Sequence, residues 1–161
     1  VKSFQETLGM GICGPATMKM LLDYFGVEKS EKELARLMKH SPERGTDEKD
    51  VRRVAKKFGF KVLIKNNSSF AEIQKWLDKG TPVIVDWFAR GRNDYSYPTV
   101  AEGHYAIVVG LDKRYIYLQD PEIGSLCQYK KEDFSKVWFD FYGEYISLKK
   151  LYTRQIIVLY R

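Results

Sequence analysis

Two kinds of periodicity divide this chain, and together they restrict what it can fold into. Up to Gly80, apolar residues recur at helical spacing in segments with clear starts and stops. Beyond it they gather in short β-branched and aromatic runs. After Pro15, a residue suited to a first helical turn, "ATMKMLLDYF" sets Met18, Leu21, Leu22 and Phe25 at helical spacing, and Gly26 stops it. Ser30 with Glu33 reads as a capping box for a second helix with Leu34, Leu37 and Met38 on one face. A third helix is expected from Thr46 or Asp47 to Gly59. A fourth follows the Ser69–Glu72 cap, carries Phe70, Ile73, Trp76 and Leu77, and ends at Gly80. In the second half, "TPVIVDWF", "HYAIVVGL", "RYIYLQD" and "QIIVLY" read as strands, with "KKEDFSKVW" a short helix among them. Helices first and strands later predict an α+β fold with helices on a mostly antiparallel sheet.

The gross composition narrows the function classes. A chain of 161 residues, 44% apolar and 30% charged, fits a globular domain with a sizeable core. No repeat, linker or low-complexity tract interrupts it, so a single domain over residues 1–161 is expected. No apolar run approaches the ~20 residues that span a bilayer, and "VKSFQETLGM" lacks the pattern of a secretory signal. A cytoplasmic location is therefore the default expectation. The net charge of +6 and pI near 9.2 raise nucleic acid as a partner. The basic residues are interleaved with acids, however, as in "EKSEKELARLMK", which marks solvated helix faces. No nucleic-acid role is expected. Cys13 and Cys127, with His40 and His104, offer neither a disulfide framework nor metal-ligand spacing. No metal or organic cofactor is called for.

Cys13 is the residue with chemistry to explain. It stands just before the first helix, whose free amides and positive dipole end favour a thiolate, and Gly14 would let a substrate backbone approach closely. A buried packing cysteine is the simpler alternative, so partners decide. His104 opens a strand in "EGHYAIVVGLDKRYIYLQDPEIG". If strands 104–111 and 115–119 form a hairpin turning near Asp112, Asp120 comes opposite or nearly opposite His104; a one-residue slip would reverse the relative faces. A carboxylate there orients the imidazole and holds its protonated form. Cysteine, histidine and aspartate so placed suit nucleophilic acyl transfer. The oxyanion would take one hydrogen bond from the Cys13 amide and another from a polar side chain. Gln5 is the only side-chain amide before the cysteine. Asp86, Trp87 and Phe88 end a strand and lead into the aperiodic segment before His104, where they are placed to line a cleft. Tyr95, Tyr97 and Pro98 are candidates for one of its walls. His40, Cys127, Phe134 and Trp138 read as structural.

These residues resemble a known family, the papain-like cysteine peptidases that process bacteriocin leaders (double-glycine peptidases) and their stand-alone relatives. The resemblance rests on "QET" at Gln5–Thr7, "CGPATMKMLLDYFG" at Cys13–Gly26, "KGTPVIV" at Lys79–Val85, "GHYAIVVGLD" at Gly103–Asp112 and "LQDPEIG" at Leu118–Gly124. It runs in the family's order from about Gln5 to Trp138. It implies a papain-like fold, half helical and half antiparallel sheet, with the active site between. Cys13 would be the nucleophile, His104 the general base and acid, and Asp120 its orienter. Gln5 and the Cys13 amide would form the oxyanion hole, although Gln5 stands further from the cysteine than the family's glutamine usually does. Gly14, Asp86, Trp87 and Gly103 would contact the substrate, a peptide or protein. Two other readings keep the same fold: a peptide-binding module without turnover, and an acyltransferase with an amine or thiol acceptor.

Overall fold

A computed structural model describes residues 1–42, 44–89, 103–142 and 147–161. Helices α1 (Cys13–Tyr24), α2 (Glu31–Leu37) and α3 (Glu48–Lys57) come first, followed by β1 (Lys61–Lys65) and α4 (Phe70–Leu77). Strands β2 (Val83–Phe88), β3 (Gly103–Leu111), β4 (Tyr115–Asp120) and β5 (Ser125–Lys130) precede α5 (Lys131–Val137). Three strands close the chain: β6 (Phe139–Phe141), β7 (Leu151–Thr153) and β8 (Ile156–Tyr160). The aperiodic segment with Tyr95, Tyr97 and Pro98 lies outside the described residues.

The predicted caps set most helix starts. Ser69 and Glu72 close a complete capping box at α4. Asp47 caps α3 by accepting from the Lys49 amide at 2.8 Å. At α2 only half of the expected box forms. Ser30 Oγ accepts from the Glu33 amide at 3.1 Å, while the Glu33 carboxylate turns away to Lys29 Nζ at 2.9 Å. Helix α1 differs from these three. Ile12 stands at its N-cap, no side chain caps it, and no acidic residue lies in its first turn. Its first amides therefore carry an uncompensated positive end.

Six strands form one sheet in the order β1-β8-β2-β3-β4-β5, with every adjacent pair antiparallel. The α+β architecture is thus as expected, with differences at both sheet edges. Strand β1 falls among the helices of the first half, and β5 was not foreseen; each is an outer strand. Alternation along β2 divides the core. Ile84 faces α1, α2 and α3 together with Tyr105, Ile107, Ile157 and Leu159. Val83, Val85 and Trp87 face α4 and α5 with Ala106, Val108 and Leu118. Helix α1 packs against both α2 and β3, which is why it buries eight of its twelve residues. No helix among the described residues is long and apolar enough to cross a membrane.

Gly14 serves this packing. It is buried, and a Cβ added there would stand 2.4 Å from Thr46 Oγ1 and 2.5 Å from Thr46 Cβ. The close approach the sequence reading reserved for a substrate is taken by Thr46. We expect Gly14→Ala to destabilise the fold by about 1–3 kcal/mol through overpacking, measured by urea denaturation. Adding Thr46→Gly should recover part of that loss; an unchanged midpoint in the single variant would contradict the contact.

Candidate active site

The β3–β4 hairpin positions the histidine and the aspartate. Its turn spans Asp112 to Tyr115, where the Asp112 carboxylate accepts from the amides of Arg114 at 2.8 Å and Tyr115 at 2.7 Å. The pairing then runs Leu111↔Ile116 and Gly110↔Tyr117, and a bulge at Val109 shifts it to Val108↔Leu118 and Ile107↔Gln119. Continued one step, this register sets Asp120 across from Ala106, two residues from the partner that a turn at Asp112 would give. An offset of two keeps His104 and Asp120 on one face as diagonal neighbours. Without the bulged residue the offset would be odd and Asp120 would lie on the opposite face.

The two side chains meet in the interior. His104 Nε2 and Asp120 Oδ1 are 2.7 Å apart, with the residues only 2% and 1% exposed. The same Oδ1 accepts from the Glu122 amide at 2.9 Å. Trp87, across from His104 in the β2–β3 register, sets its ring edge-to-face with the imidazole at 6.1 Å between centroids. Burial by itself would push the His104 pKa down. The charge and hydrogen bond of Asp120, followed by the hydrogen bond and charge of Cys13, outweigh it and hold the imidazolium well above its ordinary range. With Nε2 committed to Asp120, Nδ1 is the nitrogen left for the thiol. Cys13, half-buried, supplies that thiol from the first residue of the uncapped α1.

The remaining predicted residues occupy varied positions. Gln5 is exposed, lies over Gly124, and donates from Nε2 to the Glu122 carbonyl at 3.3 Å. Gly124 adopts φ +74°, and an added Cβ would come 2.6 Å from Gln5 Cβ, so both the turn and the contact call for glycine. Asp86 is 3% exposed and accepts from Tyr152 Oη at 2.7 Å. Burial and the facing Asp140 carboxylate raise its pKa well above the usual carboxylate range, against the Tyr152 hydrogen bond. Trp87 is 2% exposed, packed on Tyr129 and Phe134. Both are therefore buried, on opposite faces of β2, and neither lines an open wall. Gly103 is half-buried, with the Asp140 carboxylate where its Cβ would be. His40, at the end of the α2 segment, reaches Met10 O at 3.1 Å and Thr46 Oγ1 at 3.2 Å, bracing the loop that leads to Cys13. Sequence reasoning missed Glu6, which is buried beside Gln5, together with Glu122. A period-two reading of the N-terminal segment could have found it only with the phase known. Among the described residues, no group of His, Cys, Asp and Glu could hold a metal ion. A groove of about 1150 Å³ between the N-terminal segment, α1 and α2 includes none of Cys13, His104 and Asp120.

Comparison with known proteins identifies the family and the fold. The Peptidase_C39 like family matches residues 2–146, so the chain belongs to that family of cysteine peptidases. Its fold is that of the peptidase domain of Streptococcus ComA, a bifunctional ABC transporter involved in quorum sensing. The two are 21% identical, with a TM-score of 0.71 over 98% of this chain and 96% of that one. A putative C39-like peptidase from Bacillus anthracis is 18% identical, with a TM-score of 0.71 over 98% and 94% of the two chains. A double glycine motif protease from an AMS/PCAT transporter, solved with a leader peptide, is 18% identical at TM-score 0.67 over 97% and 89%. No protein of curated description matches the chain.

The charge on His104 has a pH consequence. A folded-state pKa raised above the ordinary 6.5 contributes stability that is fully present below 6.5 and is lost as pH rises through the folded value. The chain has two histidines, so nitrogen-15 NMR titration can follow each ring. We expect His104 to remain imidazolium well above pH 6.5, and Asp120→Asn to move its titration downward. The stability gap between wild type and Asp120→Asn should narrow at alkaline pH. A His104 ring neutral at pH 7 in wild type would contradict the assignment.

Proposed function

We propose that this protein hydrolyses a peptide bond through an acyl-enzyme on Cys13. The observation that carries the reading is the buried His104–Asp120 bond, whose imidazolium is sustained in part by the thiol at the uncapped start of α1. In this reading Asp120 fixes the ring and sustains its charge, and Nδ1 faces Sγ. The thiolate attacks the scissile carbonyl carbon, and the carbonyl pair moves onto oxygen. His104 then delivers its proton to the departing amine. Water, deprotonated by the neutral ring, releases the acyl group and restores the thiolate–imidazolium pair. The Cys13 amide supplies one hydrogen bond to the oxyanion. Trp87 packs against the imidazole, while Asp86, on the other face of β2, is held by the Tyr152 hydroxyl that Asp140 shares. Gly103, half-buried beside His104, makes room for the Asp140 carboxylate, as Gly14 does for Thr46. Neither metal nor organic cofactor takes part. A peptide with a double-glycine end is the first substrate class to try, because a structurally similar protease is described by that motif.

The test is cleavage of a leader-type peptide library, read by mass spectrometry, for wild type, Cys13→Ala and His104→Ala. Wild type should cleave, Cys13→Ala should be inactive, and His104→Ala should lose about 10³-fold or more. Added hydroxylamine separates hydrolysis from acyl transfer by the product it traps. Peptides retained without turnover would indicate a binding module instead.

A further inference from the structure

Glu6 is a buried ionisable group beside the site for which the acyl-enzyme reading has no use. The N-terminal segment runs along the end of β4. Ser3 Oγ donates to Gln119 Oε1 at 2.8 Å, and the Glu6 amide donates to the Pro121 carbonyl at 2.8 Å. Pro121 follows Asp120 directly, so the Glu6 backbone is tied to the same turn that holds the histidine's partner. Adjacent residues of this segment expose opposite sides: Gln5 faces solvent over Gly124, and Glu6 is 4% exposed. Three titratable groups from different elements act on the Glu6 carboxyl: Glu122, from the turn after β4, through a side-chain hydrogen bond and its charge, and Cys13 of α1 and His104 of β3 through their charges. Glu122 is itself 3% exposed. Among the described residues, Glu6 Oε2 and Glu122 Oε1 have no hydrogen-bond partner. A buried carboxyl oxygen without a partner is unfavourable unless something else satisfies it.

We propose that the Glu6 carboxyl, and not the Gln5 amide, is the second hydrogen-bond donor to the oxyanion formed at Cys13. The inference rests on the acyl-enzyme reading above. Only the neutral acid can donate, and the surroundings favour it. Burial first, then the facing Glu122 and the Cys13 charge, push the Glu6 pKa up to about 10 against the opposing pull of His104. Near neutral pH the acid thus carries its proton beside Cys13, as an amide carries its hydrogens, and the Glu6 Oε2 left without a partner among the described residues becomes functional. During acylation of Cys13 by an ester, the S–C bond forms and the carbonyl π pair moves to oxygen. The Cys13 N–H and the Glu6 O–H donate to that oxygen and keep their protons. The pair returns as the C–O bond to the leaving group breaks and the alkoxide or phenolate departs.

Two probes of the same thiol separate this role from mere support. Acylation by N-acetylglycine p-nitrophenyl ester passes through an oxyanion, whereas alkylation by iodoacetamide does not. Both adducts on Cys13 are counted by intact-mass spectrometry after rapid quenching at pH 7.5. We expect Glu6→Met, of similar length but without a donor, to slow acylation about 100-fold with alkylation within about twofold. Glu6→Gln should restore acylation. Between pH 7 and 10 the ratio of acylation to alkylation should fall in wild type, as the acid loses its proton, and stay level in Glu6→Gln. Equal slowing of both reactions, slowing of neither, or selective loss in Gln5→Ala instead of Glu6→Met would overturn the inference while leaving the peptidase reading intact. That reading fails separately, and this inference with it, if His104→Ala leaves wild-type alkylation unchanged at pH 6–7.

Discussion

A charged imidazole placed in the protein interior depends on one carboxylate, and much of the structure around it serves that pairing. Taking both groups out of water is costly unless their geometry is good and their remaining hydrogen-bond capacity is met. The 2.7 Å contact between His104 and Asp120 provides the first condition. The Glu122 amide on Asp120 and the Cys13 thiol on His104 provide much of the second. The turn at Pro121–Gly124 is therefore more than a connection: it donates to Asp120, receives the Glu6 amide, and seats Gln5.

Around that pair the fold separates support from access. The apolar face of β2 and β3 toward α4 and α5 holds Trp87 against the imidazole. The opposite face carries α1, whose burial on nearly all sides leaves its N-terminus as the place where it presents chemistry. The starts of α2, α3 and α4 are satisfied by Ser30, Asp47 and Ser69, whereas α1 begins on Ile12, as α5 does on Lys130, without such a cap. Gly14 allows Thr46 to close over the helix start, and His40 ties the preceding loop to the same threonine. These contacts fix the direction from which Cys13 meets His104.

The carboxyl groups near the site fall into two sets with different partners. Asp86 and Asp140 share the hydroxyl of Tyr152, whose proton is held more tightly by burial first and then by their charges. Glu6 and Glu122 are hydrogen-bonded to one another, with an oxygen apiece left without a partner among the described residues. The first set is satisfied by its own neighbours. The second pair, in the inference drawn above, presents a neutral acid to an oxyanion at Cys13.

Much of the architecture was legible in the sequence because its signals are local. Capping residues and helical periodicity marked α1 to α4, and β-branched runs marked the central strands that bury both faces. The edge strands β1 and β5 escaped because they bury one side; "KVLIK" and "SLCQYK" mix charged or polar residues with apolar ones and resemble connections. Cys13, His104 and Asp120 could be singled out by residue type and by their places at the ends of elements. Their relation could not be, because a hairpin's register turns on single residues. The turn centred beyond Asp112 shifts the pairing by an odd number, and the bulge at Val109 returns it to an even one, so that Asp120 shares the face of His104. The same kind of phase chose Glu6 over Gln5 for the interior. In extended chain the side alternates at every residue, and only packing against the rest of the molecule decides which side is buried.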